Sequence, residues 1–172
     1  MQSIFKKNGM AFLLFFVLPV ALILWLMGAF NPVRIEIAER GPYRYAYVLY
    51  SGDISKLENQ QGWVRHVVET QKLKALAPFT LLLVDQRAVS KKLIQANVGV
   101  LLEPHALVSP PIKLGEIPRR RVLHIEVKAQ HSLAVMKAYQ KLYDYLKEQH
   151  LTLRPPTVEI YQHGILMLEM NI

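Results

Sequence analysis

The chain is 172 residues long, carries a formal charge of +8 and contains no cysteine, which excludes a disulfide framework and thiolate chemistry. The basic balance raises nucleic acid as a partner, yet apart from Lys91-Lys92 and Arg119-Arg120-Arg121 the cations are scattered, and neither cluster is interleaved with aromatics. The charge reads instead as a solvated surface or as attraction to anionic headgroups.

From Met10 to Phe30 the sequence is MAFLLFFVLPVALILWLMGAF, and no charge occurs between Lys7 and Arg34. At about 1.5 Å per residue, roughly 20 apolar residues cross a bilayer core with every backbone group satisfied inside the helix. Pro19 is compatible with such a helix. The run exceeds the usual signal core of about 7–15 residues, and Leu-Met-Gly-Ala-Phe lacks a small-x-small cleavage site. The spacing therefore predicts a retained transmembrane helix over 10–30, behind a short basic tail over 1–9. Lys6 and Lys7 ahead of it nearly balance Arg34, Arg40 and Arg44 behind it. A short basic N-terminus is the form of a signal-anchor, which places the remainder outside the cytoplasm, in the periplasm if the source is bacterial.

About 140 residues follow, enough for one domain with a proper core. Asn31-Pro32 breaks the helix, and Val33 to Glu39 alternates apolar and charged as a short strand or an extended linker, here taken as a linker over 31–41. Gly41-Pro42 marks a turn. Tyr43 to Tyr50 reads as a strand, and Asp53, Ser55 and Glu58 as a capping box opening a helix that runs to about Leu76. Phe79 to Val84 and Leu93 to Leu102 read as strands. Glu103 to Pro118, rich in Pro and Gly, reads as a long connection. The plan then repeats: a strand over Arg121 to Lys128, a helix capped by Ser132, and a hairpin of Thr157 to Tyr161 with Ile165 to Ile172. The expected fold class is α+β, a duplicated β-α-β-β repeat forming an antiparallel sheet with two helices on one face, preceded by one transmembrane helix.

Several stretches resemble the GyrI-like small-molecule-binding family, in its membrane-anchored branch. They are Tyr45-Ala-Tyr-Val-Leu-Tyr-Ser-Gly52, Asp85 followed by Lys91-Lys-Leu-Ile-Gln-Ala-Asn-Val-Gly-Val100, and Pro156-Thr-Val-Glu-Ile-Tyr161. The likeness covers about Pro42 to Ile172, and the domain is assigned to 42–172. The resemblance implies a ligand cleft holding an acidic residue among aromatics, and Glu159 falls in the matching Glu-Ile-Tyr motif. The sequence departs from the pattern at Asp53-Ile54, where Pro-Tyr often follows the glycine, and at Ala129-Gln130-His131, where the second repeat lacks that glycine. Regulators of the family carry a helix-turn-helix domain for which the residues before Pro42 leave no room, so no nucleic-acid partner is expected.

Strand parity sorts the second repeat. Leu123/Ile125/Val127, Val158/Ile160 and Leu166/Leu168/Met170 form the set expected under the helices. The opposite set, on the face expected to carry the cleft, is His124, Glu126, Glu159, Tyr161, Met167 and Glu169. Glu159 and Tyr161 lead the candidate ligand-binding residues, with Glu169, Glu126 and His124. Tyr45 and Tyr47, sharing a face with Tyr43, supply either cleft aromatics or core. The six histidines show no i, i+4 pair with a third ligand, and there is no Gly-x-Ser-x-Gly elbow or phosphate loop. No metal, cofactor or catalytic residue is assigned.

Three function classes remain: a membrane-anchored domain binding a small, largely apolar ligand, neutral or cationic; a membrane-tethered module docking a protein partner; and a hydrolase of a strained small molecule using a cleft carboxylate.

Overall fold

The computed structural model describes residues 13–90 and 92–172. Eight strands form one antiparallel sheet: β1 (Val33–Arg40), β2 (Tyr43–Gly52), β3 (Pro78–Leu82), β4 (Ile94–Leu101), β5 (Lys113–Ile117), β6 (Arg120–Lys128), β7 (Thr157–Gln162) and β8 (Ile165–Asn171). Their order is β1-β6-β8-β7-β3-β4-β2-β5. A π-helical turn (Leu13–Val17) runs into α1 (Leu18–Leu26), while α2 (Leu57–Thr70) and α3 (His131–Glu148) lie between strands.

The order reads the same from either end once the first four strands are exchanged for the last four. Two repeats are thus related by a pseudo-twofold passing between β3 and β7, and each repeat has one strand more than the sequence suggests. The stretch taken as a linker supplies β1, which pairs with β6 of the second repeat. The supposed long connection holds β5, which pairs with β2 of the first. Each half has given its leading strand to the other.

This exchange dictates the sheet's shape. Gly41-Pro42 alone joins β1, at one edge, to β2, seventh in the order, and Pro118-Arg119 joins β5 to β6 in the mirror sense. Six strand spacings would separate the ends of a flat sheet by about 29 Å. Three Cα steps reach at most about 11 Å. The sheet therefore curls until the links touch. Gly41 adopts a φ of +96°, and a Cβ there would lie 3.0 Å from the Pro118 carbonyl oxygen, so the seam admits only glycine.

Both faces are consequently buried. On the convex face α3 packs Ala134, Ala138, Tyr139, Leu142 and Leu146 over Leu123, Ile125, Val127, Leu166, Leu168 and Met170, as parity predicts for β6 and β8. Val64 and Val68 of α2 cover Ala46 and Val100 on the same face. The concave face closes on itself around Tyr45, Phe79, Val158 and Ile160, with Tyr45 stacked on Phe79 at 4.2 Å. Val158 and Ile160 thus lie away from the helices, which corrects the parity assigned to β7. An apolar pair identifies the helical face only when the other face is wet.

The concave core also encloses a polar cluster. Glu169 is fully buried; it accepts hydrogen bonds from the Tyr43 hydroxyl at 2.6 Å and from Arg120 at 2.8 Å, and His124 lies 3.8 Å away. β2 and β8 are separated by three strands, so the Tyr43 bond ties the curl shut. Burial raises the Glu169 pKa, but His124, Tyr43 and Arg120 outweigh it and hold the carboxyl below its ordinary value. Burial, and then the hydrogen bond to Glu169, push the Tyr43 phenol up.

The helix expected over Met10–Phe30 ends at Leu26, and Met27 to Phe30 form turns. Met10 to Phe12, the basic tail over 1–9 and Lys91 fall outside the described residues. Among those described, no helix is long and apolar enough to cross a membrane. No residue of α1 is buried, so α1 is not a core helix of this domain.

Two outcomes follow from this architecture. A fragment beginning at Arg119 lacks β1 and leaves β6 unpaired along an edge, so it should aggregate or remain unfolded; a cooperative denaturation transition from that fragment would contradict the exchange. Glu169→Gln should lower stability by about 3 kcal/mol near neutral pH, because Arg120 loses its buried partner. Since the folded pKa is depressed, this contribution is complete above the unfolded value near 4.5 and is lost as pH falls through the folded one. Denaturation from pH 7 to pH 3 should show the wild-type advantage shrinking on the acid side.

Candidate functional site

The strands β3 and β7 meet at the pseudo-twofold, where Thr80 stands opposite Glu159. Both residues face the helices: Glu159 pairs with Leu168 of the helical set, and Val158 with Glu169 of the concave set. Above them the N-terminal turns of α2 and α3 diverge and leave a cavity of about 540 Å³. Its walls are matched position for position, since Leu57, Glu58 and Gln61 are the first, second and fifth residues of α2, and His131, Ser132 and Val135 those of α3. Thr80, Leu82 and Glu159 form the floor, and Ile54, Ser55 and Gln86 complete the lining.

Local sequence explains this geometry. Asp53 accepts from the Ser55 N–H and hydroxyl, both at 2.9 Å, capping a 3-10 turn (Ile54–Lys56) that leads into α2. Glu58, read as the far half of a capping box, instead reaches across the cavity to His131 Nδ1 at 2.8 Å. The helix α3 starts one residue before Ser132, and its cap is Gln130, which accepts from the Leu133 N–H and the Ser132 hydroxyl. Gln61 donates to the Phe79 carbonyl at 3.2 Å, fixing α2 over β3. The first turns of both helices face the cavity, so their N–H ends favour charged carboxylates there.

Glu159 is half-buried and accepts a 2.6 Å hydrogen bond from Tyr139, which also lies 3.3 Å from the Thr157 hydroxyl. Burial raises the Glu159 pKa, opposed by the Tyr139 bond and by His131 nearby. Burial, and then the Glu159 charge, push the Tyr139 phenol well up. Beside the site Tyr143 donates to Asp85 at 3.1 Å with the Arg87 guanidinium over its ring. Burial and Asp85 push that phenol up to about 12. The arrangement is a cavity of mixed lining, with Ile54, Leu57, Leu82 and Val135 as its apolar walls, a carboxylate at its floor, a second at its rim and one imidazole between helices. That combination can hold an apolar body carrying a positive charge or a strong donor.

Of the residues singled out by sequence, Glu159 alone lines this cavity. Tyr161 is on the helical face but outside it; its hydroxyl donates to the Ala129 carbonyl at 3.0 Å, and its ring meets His131 edge-on at 4.9 Å. Glu169 and His124 are sealed in the concave core, where Tyr45 and Tyr47 also pack. Glu126 lies on that same face at the end nearest α1. The sequence reading placed the cleft on the face away from the helices, and the structure places the cavity between them. Sequence reasoning missed Glu58, Gln61, His131 and Tyr139. Matching the helix starts of the two repeats is the signal that pairs Glu58 with Ser132 and Leu57 with His131.

A second concavity of about 350 Å³ sits at the seam among Pro42, Tyr43, Leu102 and Pro118, with the Arg44–Glu116 ion pair on its wall. Its charges are already paired, which leaves nothing aimed at a ligand. Among the described residues no group of His, Asp and Glu is arranged to hold a metal ion.

No family model and no curated protein matches the chain. Solved structures do. The EcmrR C-terminal domain superposes with a TM-score of 0.63 at 13% identity, over 81% of this chain and 96% of that one. EcmrR in a complex with DNA matches with a TM-score of 0.60 at 13% identity, over 98% of this chain and 66% of that one. SAV2435 bound to tetraphenylphosphonium matches with a TM-score of 0.57 at 10% identity, over 80% of this chain and 92% of that one. At these identities the likeness is one of fold, and that fold is consistent with the GyrI-like small-molecule-binding resemblance carried by the sequence.

Proposed function

We propose that this chain is a membrane-anchored binding protein that holds a small, largely apolar cation between α2 and α3, with Glu159 as its counter-ion. The observation that carries the reading is the Glu159 carboxylate on the floor of a cavity that also exposes Ile54, Leu57, Leu82 and Val135, held by Tyr139 and free of any direct cationic partner among the described residues. The lipophilic cation bound by SAV2435, a protein of the same fold, supports this choice of ligand class.

The anchor rests on the apolar run and on the surface of α1. In the sequence the uncharged apolar run from Met10 to Phe30 is 21 residues, within the spanning range. Along α1 the side chains are exposed on every side, with Ile23 56%, Trp25 64% and Leu26 71% accessible. A helix apolar all round suits surrounding lipid rather than a one-sided dock. Lys6 and Lys7 ahead of the run favour a domain outside the cytoplasm.

Tetraphenylphosphonium should bind, and Glu159→Gln should weaken it by about tenfold or more while a neutral compound of similar size, triphenylphosphine oxide, is little affected. Affinity for the cation should fall as pH drops through the raised Glu159 pKa, because protonation removes the counter-charge. Titration calorimetry of both compounds with wild type and variant checks this. Equal losses for cation and neutral compound would show that Glu159 is structural. Extraction of the full chain from membranes by alkaline carbonate would contradict the anchor.

A further inference from the structure

The foot of α1 is bolted to the domain. Lys137 Nζ donates to the carbonyls of Ala29 at 2.7 Å and Asn31 at 2.6 Å, in the turns that follow the helix. Asn31 donates to the Lys128 carbonyl at 2.7 Å, and the Gln130 N–H donates to the Met27 carbonyl at 2.9 Å. Gly28, at a φ of +81°, sits so close that a Cβ would lie 2.7 Å from the Lys128 oxygen. With α1 in a bilayer, as the membrane reading above supposes, the residues immediately beyond this foot are held at headgroup depth.

A pocket of about 270 Å³ opens there, lined by Asn31, Pro32, Arg34, Glu126, Lys128 and Ile165. Arg34 stands opposite Glu126 across β1 and β6, and Lys128 follows two residues on along the same face. None of these three ionic side chains is engaged in an ion pair among the described residues. Two cations and one carboxylate around a single small pocket form the charge complement of a zwitterion. A phosphate between Arg34 and Lys128 uses the two cations, and a primary ammonium two carbons away can donate to Glu126. A quaternary ammonium has no N–H to donate, and a headgroup without an amine leaves Glu126 facing its phosphate.

We infer that this junction is a lipid-headgroup site selecting an amine-bearing phospholipid of the phosphatidylethanolamine type. The inference rests on the membrane reading and adds a second, distinct binding site to it. The occupant comes from the bilayer that holds α1.

The test places the full chain in phosphatidylcholine nanodiscs doped with spin-labelled phosphatidylethanolamine, phosphatidylcholine or phosphatidylglycerol, and reads the immobilised lipid fraction. Phosphatidylethanolamine should be immobilised about threefold over phosphatidylcholine, an effect of the size expected for exposed charge pairs. Glu126→Gln should abolish that preference and leave phosphatidylglycerol immobilised as much as before or more. Arg34→Ala with Lys128→Ala should reduce immobilisation of all three lipids. Equal immobilisation of phosphatidylethanolamine and phosphatidylcholine by wild type, or an unchanged preference in Glu126→Gln, overturns the headgroup site while leaving the anchor intact. A chain recovered outside the nanodiscs overturns the anchor and this inference with it. Circular dichroism of each variant in the same nanodiscs shows whether a lost preference reflects unfolding, and the preference of Glu126→Asp, which keeps the carboxylate, then decides the matter.

Discussion

The shortness of two connections governs this molecule. Gly41-Pro42 and Pro118-Arg119 each carry the chain between strands that lie at opposite ends of the sheet order. An open sheet cannot satisfy them, so the sheet curls, the links cross at the seam, and the concave face becomes a second core. Glu169, Tyr43 and Arg120 are the polar closure of that curl, where β2 and β8 approach through the interior. With the middle of its concave side filled by side chains, the sheet leaves the cavity between the two helices on its other face. The duplication places that gap on the pseudo-twofold, with matched helix starts as its walls.

The two halves are matched in position and not in chemistry. Where α2 contributes Leu57 and Glu58, α3 contributes His131 and Ser132, and where β3 contributes Thr80, β7 contributes Glu159. The asymmetry concentrates negative charge at the floor and sets an imidazole against the rim carboxylate. An apolar cation can meet Glu159 while its body contacts Ile54, Leu57, Leu82 and Val135. Because His131 follows directly on Gln130, whose N–H bonds the Met27 carbonyl, the cavity wall and the foot of α1 belong to one continuous corner.

Much of this architecture was legible in the sequence, and the failures share a cause. The set on β6 was assigned to the correct face because Leu123 to Lys128 alternates strictly, and that on β8 because Glu169 and Asn171 mark the face opposite Leu166, Leu168 and Met170. On β7, Thr157-Val-Glu-Ile-Tyr161 alternates just as well, yet its apolar pair fills the concave core. No single strand reveals that both sheet faces are dry. The strands β1 and β5 were read as linker and loop because charge on an edge strand and proline around a short one imitate irregular chain. Glu159, singled out through its motif, lines the cavity between the helices, although the face assigned to it was wrong. Its partners Tyr139, Glu58 and His131 come from helices whose relative placement depends on the strand exchange, which a linear pattern does not encode.

The central claim is that Glu159 is a half-buried carboxylate whose charge is completed by a ligand cation. Carbon NMR of the side-chain carboxyls, with Glu159 assigned through Glu159→Gln, measures its titration in the free protein and with tetraphenylphosphonium bound. The account predicts a pKa above the ordinary carboxylate value in the free protein, because burial dominates there, and a clear fall when the cation binds. An ordinary pKa in the free protein, or a raised one that does not move on binding, would contradict it.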